Sequence, residues 1–284
     1  MLLREVEYVR AASVEDAIRL LAGHEGARAL AGGQTLVSVM KARAASPDVL
    51  VDLNRVDALR TISFGPDGHL ELGPMATYTQ IMASSEVEVA RPILAEVCSA
   101  IADVQVRNRG TIGGNICAND PTNHLPPLLV ALGAEMTIQG RSGERTIRAD
   151  DFFLGVYLTA VGEGELLTKI SLPPAAPHGV GDSFSAITIG RDGTCIVNAA
   201  ASIGPGGLRI ALGCVGATPV RATAMEEALA SGDYSEARVH TASSGLGASL
   251  DPPGDVHASA DYRRHLAVVC AQRAVLQAGE RARS

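Results

Sequence analysis

The sequence predicts an α+β protein with mostly mixed or antiparallel sheets, and three observations lead there. Helical and strand-like runs intermingle without the regular alternation of a doubly wound sheet. The apolar runs are short and bounded by glycine, proline and aspartate, as strands in such folds are. A stiff segment, Pro173-Pro174-Ala175-Ala176-Pro177, then separates a mixed region from three strand-like runs in succession. With 284 residues and 46% apolar composition, the chain can bury one large core or two smaller ones. Aromatics are 3% and tryptophan is absent, so Ala, Val, Leu and Ile must fill the interior.

The elements follow in order. Ser13 before Glu15 and Asp16 reads as an N-cap, with a helix to about Ala22 stopped at Gly23. Residues 27–31 read as a short buried strand running into Gly32-Gly33, then a helix over 35–41 and a strand at 49–51. Residues 61–64 and 69–72 flank Pro66-Asp67-Gly68 and form a hairpin signal. Pro92 suits the first position of a helix reaching about Ile101. A short helix over 125–132 opens at Pro126-Pro127 and closes at Gly133, and strands follow at 135–139 and 165–172. Beyond the proline segment, runs at 183–189, 195–202 and 208–213 are split by Asp192-Gly193 and Pro205-Gly206-Gly207, which predicts an antiparallel meander. Helices are expected at 223–230 and 259–277, and the small polar stretch 243–254 reads as an exposed loop.

Composition excludes several functions. A net charge of −7 disfavours phosphate-neutralising nucleic-acid binding. No apolar run approaches bilayer-spanning length, and the N-terminus lacks a signal-like apolar region, so a cytoplasmic protein is expected. Cys98, Cys117, Cys195, Cys214 and Cys270 are widely spaced with no C-x-x-C pair. That indicates neither structural zinc nor an iron–sulfur cluster, and buried inert thiols are the expectation. No metal ligands and no catalytic triad are indicated.

Two segments carry chemistry. Ala31-Gly32-Gly33-Gln34-Thr35 and Thr111-Ile112-Gly113-Gly114-Asn115 each place a glycine pair beside small polar residues at the edge of an apolar run. Adjacent glycines can leave peptide N–H groups uncovered for an anion. Two such segments could clasp the phosphates of a dinucleotide, and each alone could simply make a tight turn. Neither is G-x-G-x-x-G nor a Walker A sequence, so a nicotinamide Rossmann fold and a P-loop are disfavoured.

These segments, together with Val49-Leu50-Val51-Asp52-Leu53, Arg109-Gly110, Asp120-Pro121, Leu125-Pro126-Pro127, Gly164-Glu165-Leu166-Leu167, Leu172-Pro173 and Asp261-Tyr262-Arg263-Arg264, resemble the FAD subunits of the molybdenum hydroxylase family, the xanthine dehydrogenase and aerobic carbon monoxide dehydrogenase type. The resemblance runs through nearly the whole chain in order. It implies an FAD-binding domain of the vanillyl-alcohol-oxidase type over 1–177, with subdomains of about 1–57 and 58–177, and a smaller α+β C-terminal domain over 178–284. It implies FAD held by backbone N–H groups at Leu30, Ala31, Gly32, Gly33, Gln34, Thr35 and Leu36 on one side. On the other side stand Thr111, Ile112, Gly113, Gly114 and Asn115, with Ile101 and Leu167 shaping the flavin pocket.

The resemblance further implies an electron-transfer subunit in a heterotrimer. A molybdopterin-binding large subunit would hold the substrate, and a [2Fe-2S] small subunit would deliver electrons. The acceptor would be NAD, a quinone or oxygen. Departures are also legible. His124 stands where relatives often carry an acid; imidazole can accept and donate one hydrogen bond each, so it substitutes in part. Ser185-Ala186-Ile187-Thr188 lacks the lysine or aromatic residue that many relatives place before Arg191, and no cysteine-rich insertion is present. The competing readings are a stand-alone FAD oxidoreductase of the same fold, for which no substrate-side proton donor is evident, and a scaffold that has lost FAD.

Overall fold

The computed structural model describes residues 3–174, 179–190 and 193–283. The linker residues Ala175, Ala176 and Pro177, the expected boundary at His178, and Arg191 lie outside the described residues.

The chain begins with β1 (Glu7–Arg10), α1 (Val14–Gly23), β2 (Ala27–Leu30), α2 (Leu36–Lys41) and β3 (Val49–Asp52). Ser13 caps α1 by accepting from the Asp16 N–H, and Ala17, Ile18, Leu20 and Leu21 turn one face inward. The strands form a three-stranded sheet in the order β1-β3-β2, and both pairings are parallel. This parallel sheet stands beside the mostly mixed or antiparallel sheets that were expected. Helix α1 bridges β1 to β2, and a crossover of that kind permits parallel strands where a tight hairpin does not. The sequence reading missed β1, whose four residues are largely exposed.

A five-stranded sheet follows in the order β4-β5-β10-β6-β7, built from β4 (Ile62–Phe64), β5 (Leu70–Leu72), β6 (Glu135–Gly140), β7 (Gly143–Arg148) and β10 (Leu166–Leu172). Every pairing in it is antiparallel. Between β5 and β6 the chain makes α3 (Tyr78–Met82), α4 (Ser85–Ala90), α5 (Pro92–Ser99), α6 (Val104–Arg109), α7 (Ile112–Ala118) and α8 (Leu125–Ala131). Thr77 and Gln80 form a capping box at α3, and Pro92 opens α5. Helices α3, α4 and α6 are five or six residues long, below the length at which apolar periodicity is readable, and the sequence reading missed them. After β7 come α9 (Ala149–Phe152) and the hairpin β8 (Phe153–Gly155) and β9 (Leu158–Thr159).

The last region is the expected antiparallel meander, β11 (Gly181–Thr188), β12 (Cys195–Gly204), β13 (Gly207–Gly213) and β14 (Val220–Arg221), ordered β11-β12-β13-β14. Its helices are α10 (Thr223–Ala228), α11 (Glu236–Ala242) and α12 (Ala260–Arg283). Ala267, Ala271, Ala274 and Ala278 give α12 a small-residue face, and Gly181 lets β11 lie directly on it. A Cβ at Gly181 would sit 1.9 Å from the Ala278 carbonyl oxygen. Close approach of small residues is how a chain without tryptophan packs this layer. The stretch 243–254, expected as an exposed loop, is mostly exposed, with a short 3-10 turn at Gly247–Ser249, but it is anchored inward at a few positions. Ser243 is fully buried and takes a hydrogen bond from Gln272 Nε2 at 2.7 Å, while Leu246 and Leu250 enter the core.

The meander is two-faced. Ala200 and Ala211 join the core of the five-stranded sheet, whereas Val197, Ala199, Ala201, Ile210 and Leu212 join the core beneath α12. Helix α8, buried along its whole length, lies between the two sheets. The Arg91 guanidinium locks the regions together, donating to Asp182 Oδ2 at 2.9 Å and to the Pro173 carbonyl at 3.0 Å. Ser202 holds the second oxygen of Asp182 at 2.7 Å.

Candidate functional site

The two glycine segments meet. An added Cβ at Gly32 would lie 2.0 Å from the Arg109 carbonyl oxygen and 3.0 Å from Gly110 Cα, so these backbones touch. One at Gly114 would lie 3.7 Å from the Ala31 methyl. Gly33 has φ +73°, a conformation that other residues adopt at a cost. It turns the chain between β2 and α2.

The segments differ in what they offer a ligand. In the first, the N–H groups of Gly32, Gly33, Gln34, Thr35 and Leu36 meet no acceptor among the described residues, and Gln34 and Thr35 are exposed. Consecutive open N–H groups around a positive-φ glycine form an anion-binding concavity. In the second, the expectation of open N–H groups does not hold. Gly113 donates to the Pro74 carbonyl at 2.8 Å, Ile112 to Ala76 at 3.0 Å, Gly114 to Thr111 Oγ1 at 3.0 Å and Asn115 to the Thr111 carbonyl at 3.0 Å. The segment is the first turn of α7, capped by Thr111. Gly113 serves close packing, since a Cβ there would sit 2.3 Å from Pro74 Cβ.

What this second wall presents instead is an orphan. Asn115 Oδ1 is buried without a hydrogen-bond partner. A buried acceptor left unpaired costs free energy unless something supplies a donor. The Asn115 carbonyl is taken by Asn123 Nδ2 at 3.0 Å, which ties α7 to the entry of α8. Tyr78 is buried beneath, and burial pushes its phenol above the ordinary range, with Asn115 partly offsetting the effect. The first segment thus carries N–H groups that suit an anion such as a diphosphate, and the second carries an acceptor without a partner.

A support that sequence reasoning missed lies behind the first segment. Asn54 Nδ2 donates to the Ala31 carbonyl at 3.1 Å and to Asp52 Oδ1 at 2.6 Å, fixing the peptide that leads into the glycines. Asp52 also accepts from the Asn54 N–H at 2.9 Å and from the Tyr8 hydroxyl. Burial raises the Asp52 carboxyl, but these hydrogen bonds outweigh it and hold it below the usual carboxylate range. An acid at the end of a buried strand was the available signal.

The remaining expected residues lie further out. Ile101 packs against the main core and its carbonyl accepts from Arg107 Nη1 at 3.0 Å, next to Ala102 at φ +43°. Leu167 is buried opposite Ile138, beside a register shift in β10. Its neighbour Leu166 enters the core that Ala31 packs against. His124 is buried at the meander, 5.2 Å from the Phe184 ring and with Nδ1 3.4 Å from Asn198 Nδ2. It reaches the glycine site only through its neighbour Asn123. Asn119, left-handed at the end of α7, donates to the Gly155 and Leu158 carbonyls at 2.6 and 3.2 Å and thereby sets the β8–β9 hairpin.

Comparison with known proteins covers the whole of this architecture. Residues 4–175 match the family described as "FAD binding domain in molybdopterin dehydrogenase", and residues 184–278 match "CO dehydrogenase flavoprotein C-terminal domain". The nicotine 6-hydroxylase medium subunit of Paenarthrobacter nicotinovorans is 34% identical, covering 99% of this chain and 100% of that protein. The carbon monoxide dehydrogenase medium chain of Hydrogenophaga pseudoflava is 34% identical, with 95% of each chain covered. The xanthine dehydrogenase FAD-binding subunit of Escherichia coli O157:H7 is 28% identical, again over 95% of each. Among solved structures, the Hydrogenophaga pseudoflava carbon monoxide dehydrogenase superposes with TM-score 0.94 at 35% identity, covering 99% of this chain and 100% of that one. Quinoline 2-oxidoreductase from Pseudomonas putida 86 superposes with TM-score 0.93 at 32% identity, covering 99% of each.

Proposed function

Because this chain belongs to the FAD-binding medium subunits of the molybdenum hydroxylases, as an oxidoreductase subunit with FAD as its cofactor, we propose that it takes electrons from the [2Fe-2S] clusters of a small partner subunit and passes them to an external acceptor. A molybdopterin-binding large subunit oxidises the substrate in this reading, and the assembly is a cytoplasmic heterotrimer. The observation that carries it is the run of N–H groups at residues 32–36 without an acceptor among the described residues, on a segment that touches Arg109 and Gly110.

In this reading the N–H groups of Gly32, Gly33, Gln34, Thr35 and Leu36 hold the diphosphate of FAD. Thr111, Ile112, Gly113 and Gly114 set the opposing wall, and Asn115 accepts a hydrogen bond from a cofactor hydroxyl. Ile101 and Leu167 border the site, and His124 supports it from the meander through Asn123. FAD, when bound, supplies the redox chemistry, and the chain supplies position and electrostatics. We read residues 1–177 as the FAD domain, of the vanillyl-alcohol-oxidase type with subdomains 1–57 and 58–177, and residues 178–284 as the C-terminal domain. The close approach of Gly32 to Arg109 and Gly110 supports a clasp between the two subdomains.

Docking of partners is supported by the β8–β9 hairpin, where Leu154, Val156, Tyr157 and Leu158 are each more than half exposed. Affinity purification of the tagged full chain from its own host tests the reading. Co-purification of two further polypeptides with molybdenum, iron and FAD in the preparation is expected. A folded chain that purifies alone, without either metal, contradicts it.

A further inference from the structure

The two glycine segments meet as backbone against backbone at Gly32 and Arg109, and among the described residues no backbone hydrogen bond crosses that contact. A van der Waals contact limits how close two chains come and does little to stop them drifting apart. A firmer tie lies behind them, in a side chain that the site does not otherwise use. Arg60 ends the short 3-10 turn Asp57–Arg60, and its guanidinium reaches in two directions. Nη2 donates to the Asn54 carbonyl at 3.2 Å and to Asn54 Oδ1 at 3.1 Å. Nη1 donates to the Met75 carbonyl at 3.3 Å.

Each arm ends one step from a glycine segment. Asn54 Nδ2 donates to the Ala31 carbonyl at 3.1 Å, on the peptide that enters Gly32-Gly33. Met75 stands between Pro74 and Ala76, whose carbonyls accept the Gly113 and Ile112 N–H groups at 2.8 and 3.0 Å. Met75 is itself buried, and its N–H is fixed on the Leu59 carbonyl at 2.7 Å. Gly73 lets the chain lie directly on the same turn, since a Cβ there would fall 2.3 Å from the Leu59 carbonyl oxygen.

The chemistry of a guanidinium also decides how the Asn54 amide is turned. Arginine only donates, so the amide atom facing it must be the oxygen. The amide nitrogen is thereby directed at Asp52 Oδ1, 2.6 Å away, and at the Ala31 carbonyl. All three acceptors of Arg60 are neutral oxygens, so it contributes direction rather than an ion pair. Lysine would carry the same charge without the planar fork that serves both sides at once.

We propose that Arg60 is a positioning residue for the cofactor, a brace that sets the spacing of the two glycine segments through Asn54 on one side and Met75 on the other. The inference rests on the FAD reading and deepens it, because the brace acts on the segments and not on FAD. With the brace in place, the N–H groups at 32–36 are already arranged when the diphosphate arrives. Without it, binding must also order the two segments, and affinity falls.

The test uses the full chain, freed of FAD and titrated with FAD by flavin fluorescence, beside the melting temperature of the FAD-free protein. Arg60→Lys is expected to raise the FAD dissociation constant at least about tenfold. Asn54→Ala breaks the same bridge and should raise it as well. Adding Arg60→Lys to Asn54→Ala should then cost less than about a further twofold, because residues acting through one bridge are not additive. Arg60→Ala should regain affinity in guanidinium below denaturing concentrations, and not in ammonium at equal ionic strength. A merely structural Arg60 would lower the melting temperature and leave the FAD affinity of the folded protein unmoved. Affinity within about twofold of the unsubstituted chain in Arg60→Lys, or losses that multiply fully in the double variant, overturns the proposal. Should the Arg60 variants fail to fold, Asn54→Ala decides alone, and an affinity within about twofold overturns the brace. Gly33→Asp separates the two readings. FAD uptake lost in Gly33→Asp and unmoved in Arg60→Lys removes the brace alone. An unsubstituted chain that takes up no FAD, or a Gly33→Asp chain that takes it up equally, overturns the FAD reading and the brace with it.

Discussion

Substituting Gly32 by alanine probes the contact that brings together the two walls of the proposed FAD site. The new Cβ would fall 2.0 Å from the Arg109 carbonyl oxygen and 2.7 Å from its carbonyl carbon. Real carbon–oxygen contacts are about 1 Å longer than the first of these, and both partners are backbone. Relief therefore requires the strand edge or the α6–α7 connection to move. Overpacking of this kind costs about 1–3 kcal/mol. Since the movement separates the open N–H groups from Asn115, that cost is expected to fall on FAD binding. At about 1.4 kcal/mol per tenfold, FAD dissociation should rise roughly 5- to 150-fold. Titration of the folded variant with FAD, followed by flavin fluorescence, reads this directly. Gly181→Ala is the control, with a clash of 1.9 Å against the Ala278 carbonyl oxygen, far from the glycine site. It should lower the melting temperature and leave FAD affinity unchanged. A Gly32→Ala protein that binds FAD within about twofold of the unsubstituted chain would refute the claim that this contact shapes the site.

Asp52 gives a pH signature. Its folded carboxyl is held low, so its contribution is complete above the unfolded carboxylate value of about 3.9 and disappears as pH falls through the lower folded value. Asp52→Asn should therefore flatten the acid limb of a urea-midpoint-versus-pH curve, and parallel curves for the two proteins would count against the assignment. Asp182→Ala leaves the Arg91 guanidinium buried without its carboxylate and should lose about 3–5 kcal/mol in equilibrium urea unfolding; a loss below about 1 kcal/mol would show that the pair does not join the two regions. Gly113→Ala meets Pro74 backbone and side chain at 2.3–2.9 Å, whereas Gly114→Ala meets a single hydroxyl oxygen at 2.9 Å. The first should lower the melting temperature clearly more than the second, and the reverse order would mean that the α7–Pro74 contact is not what restricts this segment.

Much of the fold was legible because it is built from local signals. Ser13 caps α1, Pro92 opens α5, and Pro205 and Gly206 fall between β12 and β13. The parallel sheet was not legible, because β1 is short and largely exposed and parallel pairing leaves no turn signature. Within 243–254 the inward anchors Ser243, Leu246 and Leu250 were not legible, because they are single residues spaced along a mostly exposed stretch. At the site, glycine pairing marked both segments, and these lie against each other at Gly32 and Gly110. The division of labour was hidden. Which N–H groups stay open depends on Pro74, Ala76 and Thr111, residues whose hydrogen bonds no local pattern records.

The central claim is that the open N–H groups around Gly33 hold the diphosphate of FAD, and a matched pair of substitutions tests it most directly. Asparagine and aspartate both tolerate a positive φ, so Gly33→Asn and Gly33→Asp should fold alike at φ +73°. They differ in one negative charge placed at an anion site. FAD titration of both folded variants is expected to show uptake by Gly33→Asn and little or none by Gly33→Asp. Equal uptake by the two would contradict the account, because a carboxylate at the diphosphate site could not leave the affinity unchanged.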